Sequence, residues 1–401
     1  MSPDVAFISP YPRTGTTPDG RAGVARYTAN LANALADHGL KPIVLAPHED
    51  GEPDRSSDNG VDVLRCFTSG KRNAVAEALA TADELDVSVV HLQHELFLYG
   101  GAGTLAGLFT GLARSRHRPT VVTMHQVVRP GTVTEEFTRM HRVGVPPQVA
   151  RFGLRTLQHS LPRLADATIV HEHAFAQSVP GARVIPHGVA DPCSVQPAEQ
   201  SAARARLGLS GERLIALCFG FLAPYKGLET ALDAAVLTSD DIEVVVAGGV
   251  HPRLAERSDD YAFRLQQRYG DVARFTGYVP DELVSDWFRA CDVVLLPYPA
   301  PHAASGPLAL ALAHHRPVLL SPPMAAASSA PLELSCPGGA VGFASRLREL
   351  RNDPMALDEL AAATAQLADD RTWSAVAQAH QEIYEEVAHG SSLAGWRLRA
   401  A

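Results

Sequence analysis

Lysine is almost missing from this chain: of 35 basic residues only Lys41, Lys71 and Lys226 are lysines, and arginine supplies the rest. Cysteine is sparse as well. Cys66, Cys193, Cys218, Cys291 and Cys336 lie far apart with no C-x-x-C pair, which argues against a disulfide framework or a cysteine zinc site and fits a reducing compartment. No stretch approaches the roughly eighteen apolar residues of a membrane span. The opening MSPDVAFISPYP puts Asp4 and prolines where a secretory leader needs a basic segment and a longer apolar run, so a cytoplasmic location is expected. There is no block of like charge, and a net charge of −9 argues against general affinity for nucleic acid or an anionic surface. Any phosphate that binds must be held locally.

What is present is a rhythm. At 401 residues, 46% hydrophobic and 20% charged, the chain reads as a globular protein too long for one ordinary core, and two domains are expected. Short β-branched runs read as strands: VAFIS (5–9), PIVLA (42–46), VDVLR (61–65), VSVVHLQ (87–93), PTVVTM (119–124), ATIVH (167–171) and ARVIP (182–186). Between them GVARYTANLANALADHG, RNAVAEALATADEL and QVARFGLRTLQHSLPRLA carry helical period, with Val24, Tyr27, Leu31, Ala34 and Leu35 on one face of the first. The rhythm breaks at 187–212, a proline- and serine-rich stretch. It restarts with RLIALCFG (213–220), IEVVVAGG (242–249), ARFTGY (273–278), DVVLLPY (292–298) and RPVLLS (316–321), and closes on the helical RTWSAVAQAHQEIYEEVA. Such alternation predicts an α/β fold: two Rossmann-like, doubly wound parallel-sheet domains at 1–188 and 212–371, a linker at 189–211, and a final helix and tail at 372–401.

In doubly wound sheets ligands gather at the carboxyl ends of strands, so the cleft faced by two such domains is where chemistry is expected. The turn after the first strand holds Gly15, Gly20 and Gly23, a spacing that is not G-x-G-x-x-G and removes the main support for a nicotinamide cofactor. It is either a surface loop or a place where backbone approaches a phosphate or sugar near Gly23. In VVHLQHELFLYGGAG (89–103), His91 and Glu95 share a strand parity that His94 does not, so a polar wall is expected there and not a chelating trio. His125 ends the fifth expected strand, where it either donates to a substrate oxygen or satisfies a backbone carbonyl. Lys226 follows Gly220 by six residues in a proline-containing turn before GLETALDAA; it is either an exposed lysine or an ammonium set to meet phosphate oxygens. Ser305 and Gly306 open the apolar helix of SGPLALALAHHRPVLL, where amides and a hydroxyl suit a diphosphate. The stripe Leu105, Leu108, Phe109 and Leu112, followed by Arg114, Arg116 and Arg118, can rest on a bilayer or face a core. The core is expected, so peripheral membrane contact is not.

The glycine-containing loop before the first helix, His125 at its strand end, VIPHGV, FGFLAPYKG and the late PY...SGPLALALAHHRPV occur in an order that resembles the retaining glycosyltransferases of family 4 (glycosyl transferases group 1), which have the GT-B fold. The likeness spans nearly the whole chain and is closest to the subgroup with a QHE segment, here Gln93, His94 and Glu95. It implies an N-terminal acceptor-binding domain, a C-terminal nucleotide-sugar-binding domain, and a last helix bearing Trp373 that crosses back to the first. It implies catalytic roles for Lys226, His125 and Glu95, donor contacts from Gly23, Phe221, Lys226, His302, Ser305 and Gly306, and an acceptor side of Gln93, His94 and Tyr99, with no metal. Two departures stand out. Phe221 occupies the place of a common arginine, and His302 and Leu310 occupy the places of two glutamates eight positions apart, the second of which usually anchors the ribose.

The expected activity is metal-independent transfer of a sugar from a GDP- or UDP-sugar to a small soluble acceptor with retention, with no cofactor beyond the donor, no nucleic-acid partner, and a homodimer as a possible assembly. Departure of the diphosphate leaves negative charge that Lys226 and the helix start at Ser305 and Gly306 would stabilise, while His125 orients an oxocarbenium-like sugar. The alternatives are a GT-B protein that binds nucleotide-sugar without transfer, or a pseudo-glycosyltransferase or S-glycosyltransferase type of coupling on the same fold.

Overall fold

The computed structural model describes residues 2–13, 23–100, 102–115, 118–140, 143–190, 195–238, 240–250, 260–300 and 305–399. They form two compact units: one built on residues 1–188 with the terminal helix from Trp373, the other on Val189–Pro301 and Ser305–Thr372.

The sheet of the first unit has eight strands, β1 (Val5–Ile8), β2 (Pro42–Pro47), β3 (Arg55–Asp58), β4 (Val61–Phe67), β5 (Val89–His94), β6 (Thr120–Met124), β7 (Ala167–Val170) and β8 (Arg183–Val184), in the order β3-β4-β2-β1-β5-β6-β7-β8. All neighbours are parallel except β3, which pairs antiparallel with β4. Every residue of β1, β2, β5 and β6 is buried, as a sheet covered on both faces requires. Period-two alternation then sorts the side chains. Ala6, Ile8, Val90, Leu92, Val122 and Met124 pack under helices Ala74–Glu84 and Ala102–Arg114. Val5, Phe7, Val89, Val121 and Ile169 pack under helix Gly23–Asp37 and the terminal helix Trp373–Arg399. Leu108 and Leu112 are buried in the first of these cores, so the stripe of helix Ala102–Arg114 faces inward. β3 was not among the expected strands: its sequence RSSD is polar and mostly exposed, and it owes its place to a tight hairpin through Asn59 (φ 50°) and Gly60 (φ 86°).

The second sheet is wholly parallel: β9 (Leu214–Phe219), β10 (Ile242–Ala247), β11 (Ala273–Gly277), β12 (Val293–Leu296) and β13 (Val318–Leu320), ordered β11-β10-β9-β12-β13. The stretch 189–211, expected as a linker, groups with this unit and holds helix Pro197–Leu207. Its proline sits at the helix start, Gln196 and Glu199 form a capping box, and Gly208 (φ 61°) closes it, so residues that suggest a linker by composition act here as helix boundaries. The helix is fastened by Arg204, which donates to the Ala290 carbonyl at 2.9 Å and to Asp292 at 2.6 Å, while Asp292 also accepts from the Ile215 amide at 2.7 Å. No helix among the described residues is long and apolar enough to cross a membrane.

Candidate active site

In the second unit, glycines crowd the carboxyl ends of the central strands. Gly220, just after β9, has φ 92°, and a Cβ on Gly248, just after β10, would lie 2.2 Å from the Gly220 carbonyl oxygen. The chain then turns through Pro224–Lys226 into helix Leu228–Val236, with Gly227 (φ 62°) so near β12 that a Cβ there would stand 2.5 Å from the Pro297 oxygen. This tight turn folds Lys226 back toward β9. Its Nζ donates to the Phe219 carbonyl at 3.3 Å, and a Cβ on Gly220 would meet that same Nζ at 2.8 Å and Pro307 at 3.6 Å. The ammonium therefore stands beside the first turn of helix Gly306–Ala313, whose N-cap Ser305 accepts from the Leu308 amide at 3.3 Å. Lys226 is only 5% exposed and forms no ion pair with a carboxylate among the described residues. Burial lowers its pKa from 10.5 to about 8. It is not an ordinary exposed lysine.

In the first unit, the carboxyl ends of β5, β6 and β7 carry a buried polar layer. His91, Gln93, Thr123, His125 and His171 share one strand parity and lie on the face covered by helix Gly23–Asp37 and the terminal helix. Tyr384 of the terminal helix lies 2.6 Å from His91 Nδ1, and Thr123 lies 2.8 Å from His91 Nε2. The Gln93 amide spans from His91 Nε2, at 3.2 Å, to His125 Nε2, at 2.7 Å. His125 Nδ1 in turn meets His171 Nε2 at 3.1 Å, and His171 Nδ1 donates to the Ile185 carbonyl at 3.0 Å. The edge of the Tyr27 ring packs on His125, with centroids 4.7 Å apart, and Tyr27 also meets His171, His187 and Trp373. Burial, with neighbouring imidazoles adding to it, pushes His91 and His125 well below the ordinary histidine value; burial lowers His380 to about 4.

Several expected site residues thus have inward partners. Both ring nitrogens of His125 lie against side chains, Gln93 and His171, and not against a backbone carbonyl. Gln93 is fully buried, and the Tyr99 hydroxyl lies 2.7 Å from the carbonyls of Ile8 and Gln93, tying β1 to β5. His94 differs from them. Its Nδ1 is buried without a hydrogen-bond partner among the described residues, and burial lowers its pKa to about 4. Glu95 is half-buried in the turn that follows β5. At Gly23, the first residue of its helix, a Cβ would meet no described atom within 4 Å. Phe221 is half-buried and Gly306 exposed. His302, Gly15, Gly20 and Arg116 lie outside the described residues. No group of three or more metal-capable side chains occurs among the described residues. The members not anticipated are His171, His380, Tyr384 and Tyr27; for His171 the alternating H-x-Q, T-x-H and V-H at successive strand ends was a usable signal.

Residues 21–191 match the sequence profile of Glycosyltransferase Family 4, and residues 213–353 that of Glycosyl transferases group 1. D-inositol 3-phosphate glycosyltransferase of Streptomyces avermitilis is 30% identical over 204 residues, 46% of this chain and 42% of that protein. D-inositol 3-phosphate glycosyltransferase 1 of Catenulispora acidiphila is 26% identical over 371 residues, 86% of this chain and 82% of that one. The chain spans less than half the length of the first curated relatives it matches. Among solved structures, sucrose-phosphate synthase from Thermosynechococcus elongatus has a TM-score of 0.68 at 19% identity, covering 96% of this chain and 98% of its own. Anabaena HepE in complex with UDP and glucose has a TM-score of 0.67 at 16% identity, covering 96% and 100%. At such identities these likenesses speak for the fold, and they agree with the two parallel α/β units in giving GT-B. With one profile on each unit, the chain belongs to glycosyltransferase family 4.

Proposed function

We propose that this protein moves a sugar from a nucleoside diphosphate sugar to a small soluble acceptor, with retention at the anomeric carbon and without a metal. The observation that carries the reading is Lys226, an ammonium 5% exposed whose hydrogen-bond partner among the described residues is a single carbonyl at 3.3 Å. A buried charge so thinly compensated is costly unless an anion completes it. The neighbouring helix start at Ser305 supplies a positive dipole end, although Pro307 has no N–H and the Leu308 and Ala309 amides are bonded to Ser305; that dipole end together with the ammonium suits the charge of a leaving diphosphate. Lowered to about 8 by burial, the lysine is still mostly protonated at neutral pH and would gain from an arriving phosphate.

The complexes of Anabaena HepE contain UDP and UDP-glucose, which makes UDP-sugars the first donors to try and GDP-sugars the second. The name shared by the curated relatives makes D-inositol 3-phosphate, a small soluble molecule, the first acceptor. A second reading, binding without transfer, is favoured by Leu310, half-buried on helix Gly306–Ala313 at the position where the family usually has its ribose-holding glutamate. Calorimetric titration with UDP and GDP, followed by transfer assays in EDTA, separates the two. Turnover with an unchanged anomeric configuration is the expected result. Nucleotide binding with no turnover across acceptors supports the second reading.

A further inference from the structure

The polar layer of the first unit determines where its protons sit. His171 Nδ1 lies 3.0 Å from the Ile185 carbonyl oxygen, which can only accept, so that nitrogen carries a proton. A neutral His171 then has a bare Nε2, and His125 Nδ1, 3.1 Å away, must donate to it. A neutral His125 in consequence has a bare Nε2, which needs a donor. The atom placed there, at 2.7 Å, is Gln93 Oε1, another acceptor. Two acceptors facing each other at that distance would repel.

A half-turn of the Gln93 amide exchanges its oxygen and nitrogen without changing its shape. The NH2 group then donates to His125 Nε2, and the oxygen faces His91 Nε2. His91 Nε2 donates to that oxygen and to Thr123, which lies 2.8 Å from it, and His91 Nδ1 accepts from the Tyr384 hydroxyl at 2.6 Å. Every contact is satisfied with no net charge. The unturned amide instead demands an imidazolium at His125 or His171, in a layer that also packs His91, His187, His380 and Tyr27 together. Burial disfavours that charge, as the lowered pKa values of His91, His125 and His380 indicate.

We propose that His171 is a positioning residue, which accepts from Nδ1 and so holds His125 as the neutral Nδ1–H tautomer with its Nε2 lone pair covered by the Gln93 amide. His125 then meets an incoming hydroxyl as an acceptor and not as a donor: a sugar or acceptor hydroxyl that displaces the amide would donate to Nε2. This consequence rests on the transfer reaction proposed above, whereas the tautomer itself does not.

The test uses the full chain labelled with 15N-histidine, with His125 assigned through a His125→Gln variant, and reads ring-nitrogen correlations at neutral pH. The expected spectrum shows His125 with a proton-bearing Nδ1 and a bare Nε2. In His171→Leu the proton should move to Nε2, and in His171→Gln, whose amide oxygen can still accept, it should stay on Nδ1. With UDP-glucose and D-inositol 3-phosphate, His171→Leu should lower kcat by roughly tenfold or more with little change in donor KM, and His171→Gln should recover most of the loss. A wild-type His125 that is protonated on Nε2 or on both nitrogens overturns the proposal, and that spectrum needs no active enzyme. A tautomer unmoved in His171→Leu, or a kcat unmoved when the tautomer does change, overturns the positioning role.

Discussion

Replacing Lys226 by methionine should make the nucleotide-free protein more stable while nearly abolishing turnover. Burial lowers Lys226 from 10.5 to about 8. At about 1.4 kcal/mol per pKa unit, keeping the charged form in place costs roughly 3 kcal/mol. Methionine has similar reach and no charge, so it removes that cost, and loss of the bond to the Phe219 carbonyl takes back about 1 kcal/mol. The net gain of about 2 kcal/mol corresponds to a rise of about 4–8 °C in Tm for a unit of this size. The sign with pH is fixed by the direction of the shift. The unfolded chain keeps its proton up to 10.5 and the native chain loses it near 8, so the advantage of Lys226→Met is full below about 8, shrinks as pH rises between those values, and is gone above the higher one. Saturating UDP should reverse the order, since ligand at about one hundred times Kd adds about 2.7 kcal/mol to a protein that binds it and nothing to one that does not. Scanning calorimetry at several pH values, with and without UDP, reads all of this. A variant less stable than wild type at neutral pH, or a stability gap indifferent to alkaline pH, refutes the reasoning.

Three further outcomes are expected. Gly248→Ala places a Cβ 2.2 Å from the Gly220 oxygen, where only backbone can yield, and should destabilise the second unit by about 1–3 kcal/mol or more in urea titrations. Asp292→Ala strands the buried Arg204 and the Ile215 amide together and should cost about 3–5 kcal/mol, also read in urea. His94→Leu removes a ring nitrogen that has no internal partner, so Tm should hold or rise while acceptor KM increases; a fall in Tm with an unchanged KM would mark His94 as a packing residue.

The runs that became β1, β2, β5, β6, β9 and β10 were legible because a strand buried on both faces is apolar along most of its length, the polar His91, Gln93 and His94 of β5 standing out against it. β3 was not, since RSSD is held by its partner and its turn and not by burial, although Asn59-Gly60 was a readable hairpin signal. Helix Pro197–Leu207 was hidden because the same proline and polar residues serve linkers and helix starts alike. Lys226 was conspicuous as a lysine in an arginine-rich chain, but its burial follows from the glycines that let β9, β10 and β12 close around it, a matter of tertiary packing. For His125 the strand end was legible, and its partners Gln93 and His171 within the fold were not. His171 lies on the next strand of the sheet and Tyr384 on the last helix, so their meeting is set by strand order and not by sequence distance.

The central claim is that the Lys226 ammonium captures a diphosphate, and its most direct test is calorimetric titration of wild-type protein and Lys226→Met with UDP in EDTA. Wild-type affinity should weaken as pH rises through about 8, while the variant should bind far more weakly and with no such dependence. Equal affinities for UDP in the two proteins, or a wild-type affinity flat across that pH, would contradict the account.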